Sequence, residues 1–204
     1  MAGATSEQII VIPVLVAAEK RVVQTTSGKL SLEEIWVHCL MPPRVGQRAS
    51  MAMQLPDDSR PEVVVGEVTE STRKEPDARH PGFRARFVDL PSVAQRRIAT
   101  ALKSASQNHR AFPRLPSKLR VMTGPNAFRA RNISAVGIFV ERLPGSAGEA
   151  FDVHLDLGDN GPVPAKALVI HGIGEGAGMQ FVDSERTFRL RLDRYLASLA
   201  PPAA

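Results

Sequence analysis

Two arginines and a short polar turn are the residues of this chain with the most specific chemistry. Arg110 and Arg114 are four positions apart, and Asn132, Ser134 and Gly137 follow in an Asn-x-Ser-x-x-Gly pattern. Guanidinium groups bind phosphate oxygens through paired hydrogen bonds, stack on flat rings and donate to the O6/N7 edge of guanine. The pattern therefore suits a ligand that carries phosphates and purine rings.

A proline between the two arginines predicts that they approach a ligand from different sides. Pro113 has a fixed φ and biases Phe112 toward an extended conformation. An extended span of four residues separates its Cα atoms by about 13 Å at most. On a helix the same side chains would share one face and repel each other. The alternative interpretation is an ordinary pair of solvated surface arginines.

The polar residues after the arginines predict a turn as well as a binding surface. Asn and Ser side chains bond to nearby backbone, and Gly137 permits a positive φ. Asn132 to Ser134 also form a glycosylation sequon, which we set aside for a cytosolic chain. The turn and the ligand site are compatible, because a turn could present Asn132 and Ser134 to a purine while Gly137 lets it approach the backbone.

The elements that must position these residues are short apolar runs, interrupted by Gly, Pro and Asp. Such runs predict a mainly β fold, a sandwich or barrel rather than a helical bundle. Helical spacing of apolar residues predicts two helices, at 92–106 and 184–198. The predicted strands are 8–18, 20–25, 29–40, 47–55, 62–70, 83–89, 115–122, 127–134, 136–143, 150–157, 164–171 and 177–182.

The two halves of the chain are a degenerate repeat. Residues 28–37 align with residues 131–140, and a Phe-Val-Asp triplet ends a strand before a helix at both 87–89 and 181–183. A repeat of this length indicates a duplicated domain rather than a solenoid.

The duplication predicts one domain over 8–106 and a second over 107–199. In the first copy, Lys29 and Glu34 stand where the second has the asparagine and the glycine of the turn, and only Ser31 is retained. The first copy thus keeps the core pattern and lacks the polar residues, which predicts a role in packing, dimerisation or contact with a partner.

The two motifs in this context resemble the PilZ family of bacterial receptors for cyclic di-GMP. The resemblance covers about residues 108–198 and, more faintly, residues 8–106. It implies a mainly β chain with two tandem six-stranded antiparallel β-barrels, each followed by a C-terminal helix. It also implies a protein that binds cyclic di-GMP without chemistry on it, and therefore neither an enzyme nor a holder of a cofactor.

The resemblance also implies site residues by position. Arg110 and Arg114 would hold phosphates and guanine edges. Asn132 and Ser134 would contact guanine, and Gly137 would make room for the ligand.

Two flanking residues are auxiliary candidates. His109 stands where many members of the family carry another basic residue, so binding of one nucleotide or of a stacked pair stays open. Arg131 could assist the phosphates or be a surface strand residue.

Other kinds of chemistry find less support in the sequence. No Ser lies in a nucleophile elbow, and the five histidines show no metal-ligand spacing with one another or with Cys39, the only cysteine. The glycine-rich segment 172–178 leads into a predicted strand, whereas a dinucleotide-binding loop leads into a helix. These observations argue against an enzyme and against a metal site.

Charge and the N-terminal residues bear on partners and location. The formal charge of +5 favours an anionic partner, which is a nucleotide, a nucleic acid or an acidic protein face. The resemblance favours cyclic di-GMP over nucleic acid, with a protein partner that receives the signal, and it leaves a homodimer open. Residues 1–8 lack the features of a signal peptide and the apolar run 9–18 is too short to span a bilayer, so we expect a cytoplasmic protein without a membrane span.

The sequence leaves two functions open. In the first, cyclic di-GMP binds the segment that joins the domains and changes their arrangement, which a partner protein reads. In the second, the chain is a nucleotide-independent scaffold that keeps the PilZ fold for protein interaction.

Overall fold

The computed structural model describes residues 8–56, 60–73, 80–107, 112–158 and 161–199. The chain divides into two compact units, Met1–Phe112 and Pro113–Ala204. Each unit is a closed antiparallel β-barrel followed by one helix.

Six strands close the first barrel. Their order around the barrel is β1-β2-β3-β6-β5-β4, and all neighbours are antiparallel. Helix α1 (Ser92–Gln107) follows the last strand. The strands are β1 (Pro13–Ala18), β2 (Arg21–Leu30), β3 (Glu34–His38), β4 (Arg48–Met53), β5 (Glu62–Thr72) and β6 (Gly82–Val88).

The second barrel repeats this topology. The strands are β7 (Leu115–Pro116), β8 (Arg120–Thr123), β9 (Asn126–Ile133), β10 (Gly137–Glu141), β11 (Ala150–Leu155), β12 (Val163–Ile173) and β13 (Gly176–Val182). Six of them close in the order β8-β9-β10-β13-β12-β11, since β9 pairs with both β8 and β10 and β11 pairs with β8. The short β7 pairs with the end of β9. Helix α2 (Arg186–Leu199) follows.

Alternating burial along the strands builds the two cores. In β4 the side chains of Ala49, Met51 and Met53 are buried, and their neighbours are not. A strand with one face in the core shows this alternation because successive side chains point to opposite faces.

Each helix covers one core with an apolar stripe. Ile98 and Leu102 of α1 join the first core, and Phe188 and Leu192 of α2 join the second. Phe188 meets Phe181 edge to face, with ring centroids 4.9 Å apart.

The predicted fold class is confirmed, because the chain forms two tandem six-stranded antiparallel barrels with a helix after each. Several predicted strand boundaries differ from the structure: the first strand begins at Pro13 rather than at residue 8, and two further differences have a local cause. The predicted break between 25 and 29 does not exist, since β2 is continuous and the turn comes after Leu30. There the Ser31 hydroxyl accepts the amides of Glu33 and Glu34 and stabilises the turn.

The predicted strand 115–122 is divided between β7 and β8. Regular pairing stops between them, although the Ser117 amide still donates to the Arg131 carbonyl and the Leu119 carbonyl accepts the Ala130 amide. The Ser117 hydroxyl accepts the amide of Leu119, a local bond that competes with the regular ladder of a strand.

A pair of histidines gives the first unit a titratable element in its interior. His38, at the end of β3, is buried, and its ring meets that of His80 at an angle of 81° with centroids 5.6 Å apart. Burial, and to a smaller degree the neighbouring His80, lower the pKa of His38 to about 4. Burial also lowers the pKa of His80.

We expect the free energy of unfolding to decrease as the pH falls from about 6.5 toward 4. In that window the unfolded chain protonates His38 near its ordinary pKa of about 6.5 while the folded protein does not, so the unfolded state binds more protons. One such proton lowers the free energy of unfolding by about 1.4 kcal/mol per pH unit. Urea unfolding across this window measures the slope. His38→Phe, which keeps an aromatic ring and cannot titrate, should show a smaller slope; an equal slope would contradict the assignment.

We expect Phe188→Ala to lower the free energy of unfolding by about 3–5 kcal/mol, because it leaves a cavity in the second core. Phe188 is 1% exposed. The matched control on the same helix is Leu190→Ala, since Leu190 is 50% exposed and its truncation should change stability by less than about 0.5 kcal/mol. Urea unfolding followed by circular dichroism compares the two variants, and equal midpoints would count against this packing.

Candidate functional site

The second arginine of the first motif lies against the first residue of the turn. Nη1 of Arg114 donates to Oδ1 of Asn132 at 3.4 Å, and both side chains are partly buried. The strand pairing explains this contact, because β7 sets Leu115 opposite Ile133 and Pro116 opposite Asn132. The residue just before β7 therefore meets the end of β9, and Arg114 and Asn132 share one surface of the second unit.

The hydroxyl of Ser134 is engaged in the turn itself. The Ser134 amide and hydroxyl both donate to the carbonyl of Gly137, at 2.8 and 3.3 Å, and the hydroxyl accepts the amide of Val136 at 3.4 Å. Ser134 is 2% exposed. Ser31 makes the corresponding bonds to Glu34 in the first barrel. The one residue of the motif that both copies keep is thus a residue that the turn requires.

Gly137 has a structural reason to be a glycine. A Cβ atom there would lie 2.2 Å from the carbonyl oxygen of Met179 on β13, which no side chain could tolerate without movement of the backbone. The predicted positive φ is wrong, since Gly137 is not among the glycines with positive φ. Close packing of β10 on β13 selects the glycine instead.

Arg131 is engaged with two carboxylates. It donates to Glu141 at 3.2 Å and to Glu175 at 3.0 Å, and its guanidinium lies 4.9 Å from the ring centroid of Phe139. The hydrogen bonds to Glu175 and then Glu141 raise the pKa of Arg131. The register of β9 against β10 shifts between Ala130 and Asn132, so Arg131 is the extra residue of a β-bulge, and Ala130 and Ile133 on either side of the bulge both lie in the core.

Two predicted site residues, His109 and Arg110, lie outside the described residues. The division between the units follows Phe112 and therefore falls between the two arginines of the motif. Phe112 itself is partly buried against the core of the first unit. The segment from Arg110 to Arg114 thus spans the sequence boundary of the two units.

The equivalent surface of the first unit has different chemistry. Glu34, at the position of the turn glycine, pairs with Arg84 at 2.6 Å. Arg84 also pairs with Glu70 at 3.3 Å and lies 5.9 Å from the ring centroid of Trp36. The first unit thus has an ion pair at the position where the second unit has the turn glycine.

Two residues of α2 approach the site and were not predicted. Arg189 donates through Nη1 to the carbonyl of Ala135, inside the turn, and through Nε to Asp193 at 3.1 Å. Burial lowers the pKa of Arg189, while Asp193 acts in the opposite direction. The Tyr195 hydroxyl lies 2.9 Å from the Ser117 hydroxyl, just after β7. The sequence did contain a signal for Arg189, because the first copy has Gln95 at the equivalent position, so the two repeats differ there.

Neither a metal centre nor a membrane helix is found in the part of the chain that the structure describes. There, no group of three His, Cys, Asp or Glu residues is arranged to hold a metal ion. None of the described helices has the length and apolar character that crossing a membrane requires.

We expect Gly137→Ala to lower the free energy of unfolding by about 1–3 kcal/mol, because the added methyl group would press on the backbone of β13. Gly174→Ala is the matched control, since a Cβ atom at Gly174 would meet nothing within 4 Å. Thermal or urea unfolding without any ligand measures both variants. Equal stability of the two would show that β10 and β13 are not packed as closely as described.

Comparison with known proteins finds a family that matches part of the chain. Residues 106–198 match the family described as PilZ domain. A search of curated proteins gave no match.

Three solved structures of similar topology are complexes with c-di-GMP. They are MrkH of K. pneumonia (13% identity, TM-score 0.38, 92% of this chain and 87% of that chain), YcgR of Escherichia coli (11%, 0.34, 92% and 83%), and PlzA of Borreliella burgdorferi (8%, 0.34, 90% and 86%). The family match covers the second barrel with α2, residues 106–198 of the chain.

Proposed function

We propose that this protein is a receptor for cyclic di-GMP and that its second barrel holds the ligand. The observation that supports the proposal is the contact between Arg114 and Asn132, one residue from each polar motif, in the region that matches the PilZ domain. The proposal does not involve chemistry on the nucleotide, so the protein is a receptor rather than an enzyme, and we place it in the cytoplasm.

The chemistry of this pair suits a cyclic guanine dinucleotide. A guanidinium group presents a planar fork of donors that fits a phosphate or the O6/N7 edge of guanine. The amide of Asn132 beside it supplies both a donor and an acceptor for a base edge. Arg110, four residues earlier, is proposed as the second guanidinium group on the phosphates.

The turn has a different part in this proposal. The hydroxyl of Ser134 is buried in hydrogen bonds to its own turn, so it acts by fixing the backbone near Asn132. Gly137 allows β10 to lie close to β13, and this close pairing determines the position of the turn that precedes β10. Arg131 is held by Glu141 and Glu175 and is left out of the ligand site.

The position of the arginines suggests how binding produces an output. The two units divide between Arg110 and Arg114. A ligand that engages both guanidinium groups would link the first unit to the second and favour one arrangement of the two. A protein partner would then read that arrangement.

We expect Arg114→Ala to weaken cyclic di-GMP binding by about 1.5–3 kcal/mol, or roughly 10- to 100-fold, because it removes charge-assisted hydrogen bonds to the ligand. Titration calorimetry on the full chain measures this loss, with a linear dinucleotide and an AMP-containing cyclic analogue as ligand controls. Arg194→Ala on the exposed side of α2 and Lys29→Ala in the first unit are the matched variants, and both should bind like the wild type.

The outcomes separate this function from its alternatives. Equal affinity of all three variants would contradict the site. No heat and no shift in melting temperature with wild-type protein would favour the nucleotide-independent scaffold. Steep salt dependence with preference for long polyanions would favour a nucleic-acid binder.

We expect small-angle scattering profiles of the full chain to differ with and without saturating cyclic di-GMP, because the ligand favours one arrangement of the two units. Arg114→Ala at the same ligand concentration is the control. Identical wild-type profiles at saturation would eliminate the rearrangement and leave the binding proposal intact.

A further inference from the structure

Helix α2 contacts both segments that the proposed ligand site is made of. At one point Arg189 donates to the carbonyl of Ala135, which lies in the turn between Asn132 and Gly137. At the other, Tyr195 bonds to Ser117 in the segment that follows Arg114 and β7. One helix thus contacts the turn through Arg189 and the segment after Arg114, here called the arginine segment, through Tyr195, six positions later.

The environment of Arg189 makes its contact with the turn a strong one. Its side chain is only 17% exposed, and burial lowers its pKa. A desolvated guanidinium requires hydrogen-bond acceptors, and two of them are the Ala135 carbonyl and the Asp193 carboxylate. Asp193 lies one helical turn further along and orients the guanidinium. The carbonyl of Ala135 is therefore held in a fixed direction.

That carbonyl controls the shape of the turn. Ala135 stands between Ser134 and Val136, and the amide of Val136 donates to the Ser134 hydroxyl. The Ala135 carbonyl and the Val136 amide belong to one peptide group and point in opposite directions. Arg189 therefore holds one end of this peptide group, while the Ser134 hydroxyl holds the other. Asn132, at the start of the same turn, then meets Arg114 in one geometry.

The first unit provides an internal comparison. α1 and α2 begin at equivalent positions after the Phe-Val-Asp triplets, and Asp89 and Asp183 both have positive φ there. At the position of Arg189 the first unit has Gln95, whose side chain donates to the Leu90 carbonyl near its own helix start. The contact from helix to turn is thus found in the copy that has the ligand motif.

We propose that Arg189 is a positioning residue of the ligand site: it touches no ligand, and it holds the turn between Asn132 and Gly137 in the geometry that binds. Tyr195 supports the arginine segment from the same helix. This inference rests on the proposed function, because it names the element that sets the geometry of that same site.

The test is Arg189→Gln, which introduces the residue of the first unit. We expect the affinity for cyclic di-GMP to fall by about tenfold, since a shift of the order of 1 Å in a binding group is enough for such a loss. The dependence of affinity on salt should stay that of the wild type, because Arg189 contacts no phosphate, whereas Arg114→Ala should reduce it. Arg189→Lys, which keeps one donor, should recover part of the affinity.

A second measurement does not depend on ligand. In the ligand-free protein, Arg189→Gln should shift the backbone amide NMR signals of Ser134 to Gly137, while the far side of the barrel keeps its signals. Circular dichroism confirms that the variant is folded.

Two control variants separate positioning from loss of stability. Leu192→Val loosens the packing of α2 without touching the turn, and Gln95→Ala removes the equivalent side chain of the first unit. Both should bind cyclic di-GMP like the wild type. If Leu192→Val weakens binding as much as Arg189→Gln, general destabilisation of α2 explains the effect and the inference is wrong.

The remaining outcomes distinguish this inference from the proposed function. Wild-type affinity and unchanged turn signals in Arg189→Gln would overturn the inference while the receptor function stands. A flattened salt dependence in Arg189→Gln would make Arg189 a direct ligand of the phosphates and would also overturn it. If the wild-type protein binds no cyclic di-GMP, the proposed function fails, and the NMR signals of the turn alone decide whether Arg189 holds it.

Discussion

The pairing of the two-residue strand β7 with the end of β9 is the constraint on which the candidate site depends. It sets Leu115 opposite Ile133 and so carries Arg114 to the side chain of Asn132. Without that pairing the arginine motif and the polar turn would be separated by a hairpin in the sequence and by an undefined distance in space. The pairing of these two short backbone segments therefore brings the two side chains together, which the local conformation of either motif could not do.

Comparison of the two barrels separates residues that the fold requires from residues that differ between the copies. Both copies keep the turn serine, because its hydroxyl satisfies backbone amides that a tight turn leaves without partners. Both keep the apolar alternation and the helix that covers the core. They differ at surface positions of the turn, where the first has Glu34 paired with Arg84 and the second has a glycine. The same barrel therefore accepts either an ion pair or a glycine at this position.

The second helix has two functions in this arrangement. Its apolar stripe closes the core of the second barrel, which is the same task that α1 performs for the first. Its polar side chains, Arg189 and Tyr195, reach the turn and the segment after β7. The side chains of a helix have a fixed spacing. Two hydrogen bonds from one helix therefore also fix the distance between the two segments that they contact.

Sequence patterns alone determined the mainly β architecture, the duplication, the two helices and the identity of the motif residues. Those features depend on local properties, namely the period of apolar residues, turn-forming side chains and the recurrence of short segments. The turn boundary after Leu30 and the irregular pairing at Ser117 were missed, because a serine hydroxyl accepts a backbone amide at each place and the sequence does not show which amide it accepts.

Only the tertiary structure decided which motif residues meet. It brought Arg114 to Asn132, turned Arg131 toward Glu141 and Glu175, and gave Gly137 a role in strand packing. It also placed Arg189, on the last helix, against a turn more than fifty residues earlier. Such contacts depend on barrel closure and on the direction of each strand, which are set by the balance of the whole chain and are not encoded in any short segment of it.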